Sequence, residues 1–151
     1  MITTNFHTHS IFCEGKNTPR ELVETAISKG FTAIGFSSHS YMFLDVGRTL
    51  SDENIDEYIN EVKALKEEFK GKIEIFLGIE QEYYSPPVSR DFDYVIGSVH
   101  YVIKNGEYLA VDGDILPIIN EHYNGNFDDF AVEYLGTKIE GQNYLVIRNT
   151  K

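Results

Sequence analysis

Five short motifs hold the residues best equipped for chemistry: His7-Thr8-His9, Cys13-Glu14-Gly15, Ser38-His39, Glu80-Gln81-Glu82 and Val99-His100. Imidazole nitrogens and carboxylate oxygens together suit zinc, manganese or iron, and a glutamate can bridge two ions with its two oxygens. Alternate residues of a strand share a face, so His7 and His9 at a strand end project together. Such a pair is half of a divalent-metal site, and it also arises by chance on strands. The other motifs decide between these readings.

Four of the five motifs follow an apolar run, and Cys13-Glu14-Gly15 lies in the loop after the first. Residues 2–5 read as a strand ahead of His7, and residues 31–37 read as a buried parallel strand ending at Ser38-His39. Residues 73–79 repeat that pattern, which terminates at Glu80-Gln81-Glu82, and residues 94–99 deliver His100. In parallel α/β sheets ligands bind beyond the carboxyl ends of the strands, where loops vary over a packed core. Four of the five histidines fall there, which turns a chance pair into an expected metal cluster.

Helices connect the early strands. Thr18-Pro19-Arg20-Glu21 offers an N-cap, a proline at the first helical position and a capping-box glutamate, with Leu22, Val23, Ala26 and Ile27 on one face. A second helix, capped by Ser51 or Asp52, carries the stripe Ile55, Ile59, Val62, Leu65 and Phe69. Pro86 and Pro87 delay any long helix after the third strand. Asn105-Gly106 predicts a type I′ hairpin between Val102-Ile103 and Tyr108-Leu109. Short helices are expected around Ile115–Ile119 and Phe127–Tyr134, then a Tyr144-Leu145-Val146-Ile147 run.

Composition narrows the classes. The 151 residues suit one domain and are short for a complete α/β barrel, which takes about 250. A net charge of -11 argues against nucleic-acid or anionic-membrane binding through a basic surface. No apolar run approaches the roughly 20 residues of a membrane helix and the first residues lack a signal-peptide plan, so a cytoplasmic protein is expected. The single cysteine, Cys13, excludes an internal disulfide, so any metal must be held by His and carboxylate.

The ordered motifs His7-Thr8-His9-Ser10, Cys13-Glu14-Gly15, Gly35-Phe36-Ser37-Ser38-His39, Gly78-Ile79-Glu80-Gln81-Glu82 and Gly97-Ser98-Val99-His100 resemble the polymerase-and-histidinol-phosphatase (PHP) superfamily, and within it the monofunctional histidinol-phosphatase branch. The resemblance implies an α/β fold: the first four βα units of a distorted, seven-stranded, TIM-like (βα) barrel, C-terminally truncated. It places a phosphoesterase portion at residues 1–135 and a divergent tail at 136–151. It implies that His7, His9 and Glu80 hold a first divalent metal and that Glu80 and His100 hold a second. Glu14, where many relatives have His, would face a third with His39. The implied reaction is hydrolysis of a small phosphorylated substrate, L-histidinol phosphate, in histidine biosynthesis. Relatives continue further, with a later strand-end His and an Asp-x-His pair that this chain lacks. Two alternatives stand beside this reading: a catalytically silent metal-binding or structural fragment, and a related phosphoesterase, such as a nucleotide phosphoesterase or exonuclease domain, acting on another substrate.

Other residues have plainer readings. His122 lies on the stripe of Ile115, Ile118 and Ile119, as a structural histidine would, and Cys13 reads as a small packed residue beside the site. Asp45, Asp52, Asp56 and the acids of residues 61–68 are expected on solvated faces, and Glu82, Asp112 and Asp114 could reach the metal side as a minor reading. Tyr41 and Tyr83 are expected near the pocket, and Arg48 and Lys16 as the basic residues at its mouth. An open half barrel leaves strand edges unpaired, so homo-oligomers through those edges are expected.

Overall fold

The computed structural model describes residues 2–142. Its described residues divide into two compact units, one of residues 2–81 with Ser85–Ile96, the other of Glu82–Tyr84 with residues 97–142.

In the first unit, β1 (Thr4–Asn5), α1 (Pro19–Ser28), β2 (Ala33–Phe36), α2 (Ile55–Glu68) and most of β3 (Glu74–Glu82) follow the expected strand-helix rhythm. The helices begin for local reasons. Thr18 Oγ1 accepts a hydrogen bond from Glu21 N while the Glu21 carboxylate accepts from Thr18 N, closing the anticipated capping box. At α2 the boundary differs from expectation: the N-cap is Asn54, not Ser51 or Asp52, and its amide oxygen accepts from Ser51 N at 2.8 Å. That asparagine stabilises the turn before the helix and makes no side-chain cap bond; the first helical amide, Ile55 N, donates instead to Ser51 O at 3.0 Å.

The core of this unit lies between those helices and the sheet. Val23 and Ala26 of α1 and Ile55, Tyr58, Ile59, Val62 and Leu65 of α2 close over Ile34, Phe36, Ile75, Leu77 and Ile79. Every residue of the predicted α2 stripe is buried, Phe69 included. Each such side chain contributes about 1.5–3 kcal/mol on removal from water.

Strand pairing sets the register. β1 and β2 are parallel, with Asn5 opposite Ile34, and β2 and β3 are parallel, with Phe36 opposite Leu77. The fourth strand, β4 (Tyr94–Ser98), completes a sheet of order β1-β2-β3-β4. Asp93 N donates to Leu77 O and Tyr83 N to Ser98 O, so β4 also runs parallel to β3. The prolines do exclude a helix between β3 and β4, so the strand-helix alternation expected through four units holds only for the first two. β3 runs through Glu80-Gln81-Glu82, where its end was expected.

The second unit holds the predicted hairpin, β5 (Tyr101–Lys104) and β6 (Glu107–Ala110), with Val102 opposite Leu109. Asn105 and Gly106 both adopt positive φ, 53° and 85°, as a type I′ turn demands. Val102 and Leu109 pack with Ile119 of α3 (Leu116–His122), Tyr123 at its C-cap and Phe130 of α4 (Phe127–Gln142). Helix α4 continues through Gly136, where the tail was expected to begin. The Tyr144-Leu145-Val146-Ile147 run lies outside the described residues.

Candidate metal centre

Backbone pairing carries the strands beyond their last regular residues and thereby positions the ligands. Past Asn5, Thr8 N donates to Ser37 Oγ at 3.2 Å and Ser37 N donates to Thr8 O at 3.0 Å. Extended backbone here buries Thr8 and leaves His7 and His9 on the opposite face. Past Phe36, His39 and Glu80 form a parallel bridge, in which Glu80 N donates to Ser38 O and Ser40 N to Glu80 O. Two histidine motifs and a glutamate thus meet at one level of the sheet.

Their side chains converge on one atom. Glu80 Oε2 lies 3.0 Å from His7 Nε2, 3.4 Å from His9 Nε2 and 3.2 Å from His39 Nδ1. The Glu80 side chain is only 3% exposed, whereas that of His7 is 52% exposed and gives the cluster an open side. The imidazoles of His9 and His39 stack at 4.4 Å. In the loop after β1, Cys13 N and Gly15 N both donate to Ser10 O. This turn places Cys13 Sγ 3.4 Å from His9 Nδ1 and Glu14 Oε1 3.5 Å from His39 Nε2. The other Glu14 oxygen accepts from Arg48, which also approaches Asp45 at 3.6 Å.

Charge follows this geometry. The hydrogen bond with Cys13 raises the His9 pKa against the opposing effect of burial, and the carboxylates of Glu80 and Glu14 add to the rise. Arg48 holds the Glu14 carboxyl below the usual carboxylate range. Burial pushes the Cys13 thiol up, but hydrogen bonds, led by that with His9, bring it down to about 7.

The donor set fits a divalent cation. Ligand atoms about 2.1 Å from one ion, at octahedral to tetrahedral angles, stand roughly 3.0–3.4 Å apart. The three nitrogen-to-Glu80 separations fall in that range. Two groups among the described residues of this unit could hold an ion: His7, His9 and Glu80; and His9, Glu14 and His39.

Residues 5–136 match the PHP domain family. The chain belongs to that family. Among PHP relatives, the histidinol-phosphatase of Bacillus subtilis is 30% identical over 131 residues, covering 72% of this chain and 47% of the relative. The chain spans about half the length of the curated histidinol-phosphatases it matches. The crystal structure of histidinol phosphate phosphatase from Lactococcus lactis, complexed with zinc, L-histidinol and phosphate, is 34% identical with a TM-score of 0.54, covering 65% of this chain and 40% of that one. A candidate histidinol phosphatase from Listeria monocytogenes, 17% identical, gives a TM-score of 0.74 over 89% of this chain and 59% of its own, a likeness of fold alone.

In this PHP chain the structure therefore brings together His7, His9, Glu14, His39 and Glu80, while His100 belongs to the second unit. There His100 Nδ1 lies 2.8 Å from Glu82 Oε2, and His100 N donates to the same oxygen at 3.0 Å. Glu82, for which a place on the metal side was the minor reading, is 3% exposed. Strand alternation was the available signal, since residues 80 and 82 share a face of β3. His122 ends α3 half-buried, and Tyr41 is exposed. No helix among the described residues is long and apolar enough to cross a membrane.

Proposed function

We propose that the chain carries the N-terminal portion, residues 1–135, of a metal-dependent phosphomonoesterase of the histidinol-phosphatase type. The observation that supports it most is the buried Glu80 oxygen ringed by three imidazole nitrogens. A divalent ion bound there supplies Lewis acidity, neutralising phosphoryl oxygens and acidifying water for attack on phosphorus. His7, His9 and Glu80 hold that ion, and Glu14 and His39 supply ligands for another. His100 joins them on the strength of its motif. The open side left by His7 admits a small phosphorylated substrate, and the ligand of the Lactococcus lactis enzyme makes L-histidinol phosphate the first to try.

In the same reading the four-stranded sheet is the opening part of a seven-stranded barrel, and residues 136–151 form a divergent tail. Self-association through the outer strands, β1 and β4, belongs with it. A monodisperse monomer in light scattering would overturn that element.

The test is metal content with turnover. The purified protein is expected to bind zinc, manganese or iron and to release phosphate from histidinol phosphate faster than from other phosphomonoesters, and His9→Ala should lose both properties. Bound metal without turnover would identify a silent metal-binding module, and turnover of another phosphoester a different substrate. Absence of bound metal would overturn the centre itself.

A further inference from the structure

The imidazole of His9 uses both nitrogens. Nε2 faces Glu80 Oε2 at 3.4 Å, and Nδ1 lies 3.4 Å from the sulfur of Cys13. A neutral imidazole offers a cation one bare nitrogen and carries its proton on the other, so the partner of the second nitrogen selects which one is bare. His39 shows the same two-sided arrangement with carboxylates, Glu80 at Nδ1 and Glu14 at Nε2. His9 has a carboxylate on one side only, and a sulfur on the other.

We propose that Cys13 is a positioning residue for His9: its sulfur accepts a hydrogen bond from Nδ1–H and so fixes the tautomer and ring orientation that direct Nε2 into the metal centre. The inference rests on the metal-centre reading above. The loop is built to hold the sulfur there. Cys13 N donates to Ser10 O, and Ile11 N to Asn17 O, so the chain turns back over His9 within four residues and the thiol is not left to a free rotor at the surface. Stacking on His39 at 4.4 Å restricts the ring but does not choose between its two nitrogens, since either flip would stack. The hydrogen bond makes that choice.

Partners of this kind typically change metal affinity by about 10–100-fold. Zinc affinity, measured by competition with a chromophoric chelator at fixed pH, is therefore expected to fall by about that factor in Cys13→Ala and to recover partly in Cys13→Ser, which keeps an acceptor, with the melting temperature of the metal-free proteins little changed. Equal affinity in wild type and Cys13→Ala would overturn the proposal, as would Cys13→Ser no better than Cys13→Ala. A wild-type protein that binds no zinc would instead overturn the metal centre and this inference with it. Independently of any variant, histidine nitrogen NMR of the zinc-loaded wild type should show His9 protonated at Nδ1 and bound through Nε2; the opposite tautomer would sink the idea.

Discussion

The ring of Tyr94 fills the space that a side chain at Gly78 would need: an added Cβ there would come within 2.2 Å of Tyr94 Cζ. The same ring leaves no room at Gly35, where a Cβ would meet the phenol oxygen at 2.5 Å. From that position the hydroxyl sits 2.7 Å from Phe6 O and 2.9 Å from Phe36 O. These are the carbonyls of residues just ahead of the His7 and Ser38-His39 motifs, so Tyr94 ties together the two strand ends that carry the histidines. Gly78→Ala is expected to cost at least the 1–3 kcal/mol typical of overpacking, roughly, because a ring and not a flexible chain end must yield. Tyr94→Leu should relieve most of that cost in a double-mutant cycle followed by urea unfolding. Additive effects would disprove the contact.

Alkaline pH should weaken the fold through two phenols. Tyr58 is fully buried and donates to Gly78 O at 2.7 Å, and burial raises its pKa and that of Tyr94 well above the ordinary phenol value. The unfolded chain ionises these groups first, near pH 10, so their contribution is intact below about pH 10 and stability declines as pH rises beyond it. Tyr58→Phe should flatten this decline. An unchanged alkaline slope in denaturant titrations would refute it.

Metal binding should be visible as stability. Zinc at about 100 times its dissociation constant adds roughly 2.7 kcal/mol to a protein that binds it only when folded. Calorimetry is expected to show a rise in Tm with zinc and its reversal by a chelator. Glu80→Gln keeps the shape but removes the charge shared by three imidazoles, so most of the rise should vanish. A variant that responds to zinc as strongly as wild type would exclude Glu80 as a ligand.

The thiol of Cys13 should titrate early. In metal-free protein its alkylation rate is expected to climb with pH around a midpoint near 7, the value its hydrogen bonds impose against burial. His9→Ala removes the leading stabiliser of the thiolate, so the midpoint should move upward. A midpoint that stays put would mean that His9 does not influence the sulfur.

Removing the capping box tests a purely local element. Thr18→Ala deletes the acceptor for Glu21 N and should cost about 0.5–2 kcal/mol in unfolding free energy. A loss below a few tenths would show that α1 is held by packing alone.

Much of this could be read before any tertiary contact was known. Thr18-Pro19-Arg20-Glu21 announced a helix start because capping is satisfied within four residues, and Asn105-Gly106 announced a hairpin because those residues tolerate positive φ. The α2 stripe announced its buried face because period is a local property. The start of α2 was less legible: Ser51 and Asn54 are bonded to each other's turn, Ser51 N to Asn54 Oδ1 and Glu53 N to Ser51 Oγ, and which neighbour ends next to the helix is a matter that residue type alone leaves open.

The types of the candidate ligands, their order along the chain and the apolar runs that precede the histidines and Glu80 follow from the sequence alone. Only the tertiary structure decided that His7, His9 and His39 share one oxygen of Glu80, that Glu82 takes the ring of His100, and that Tyr94 occupies the space above Gly78. The reason is register: His7 and Glu80 are 73 residues apart, and their approach is set by how parallel strands align, a property of the paired sheet that no single segment contains.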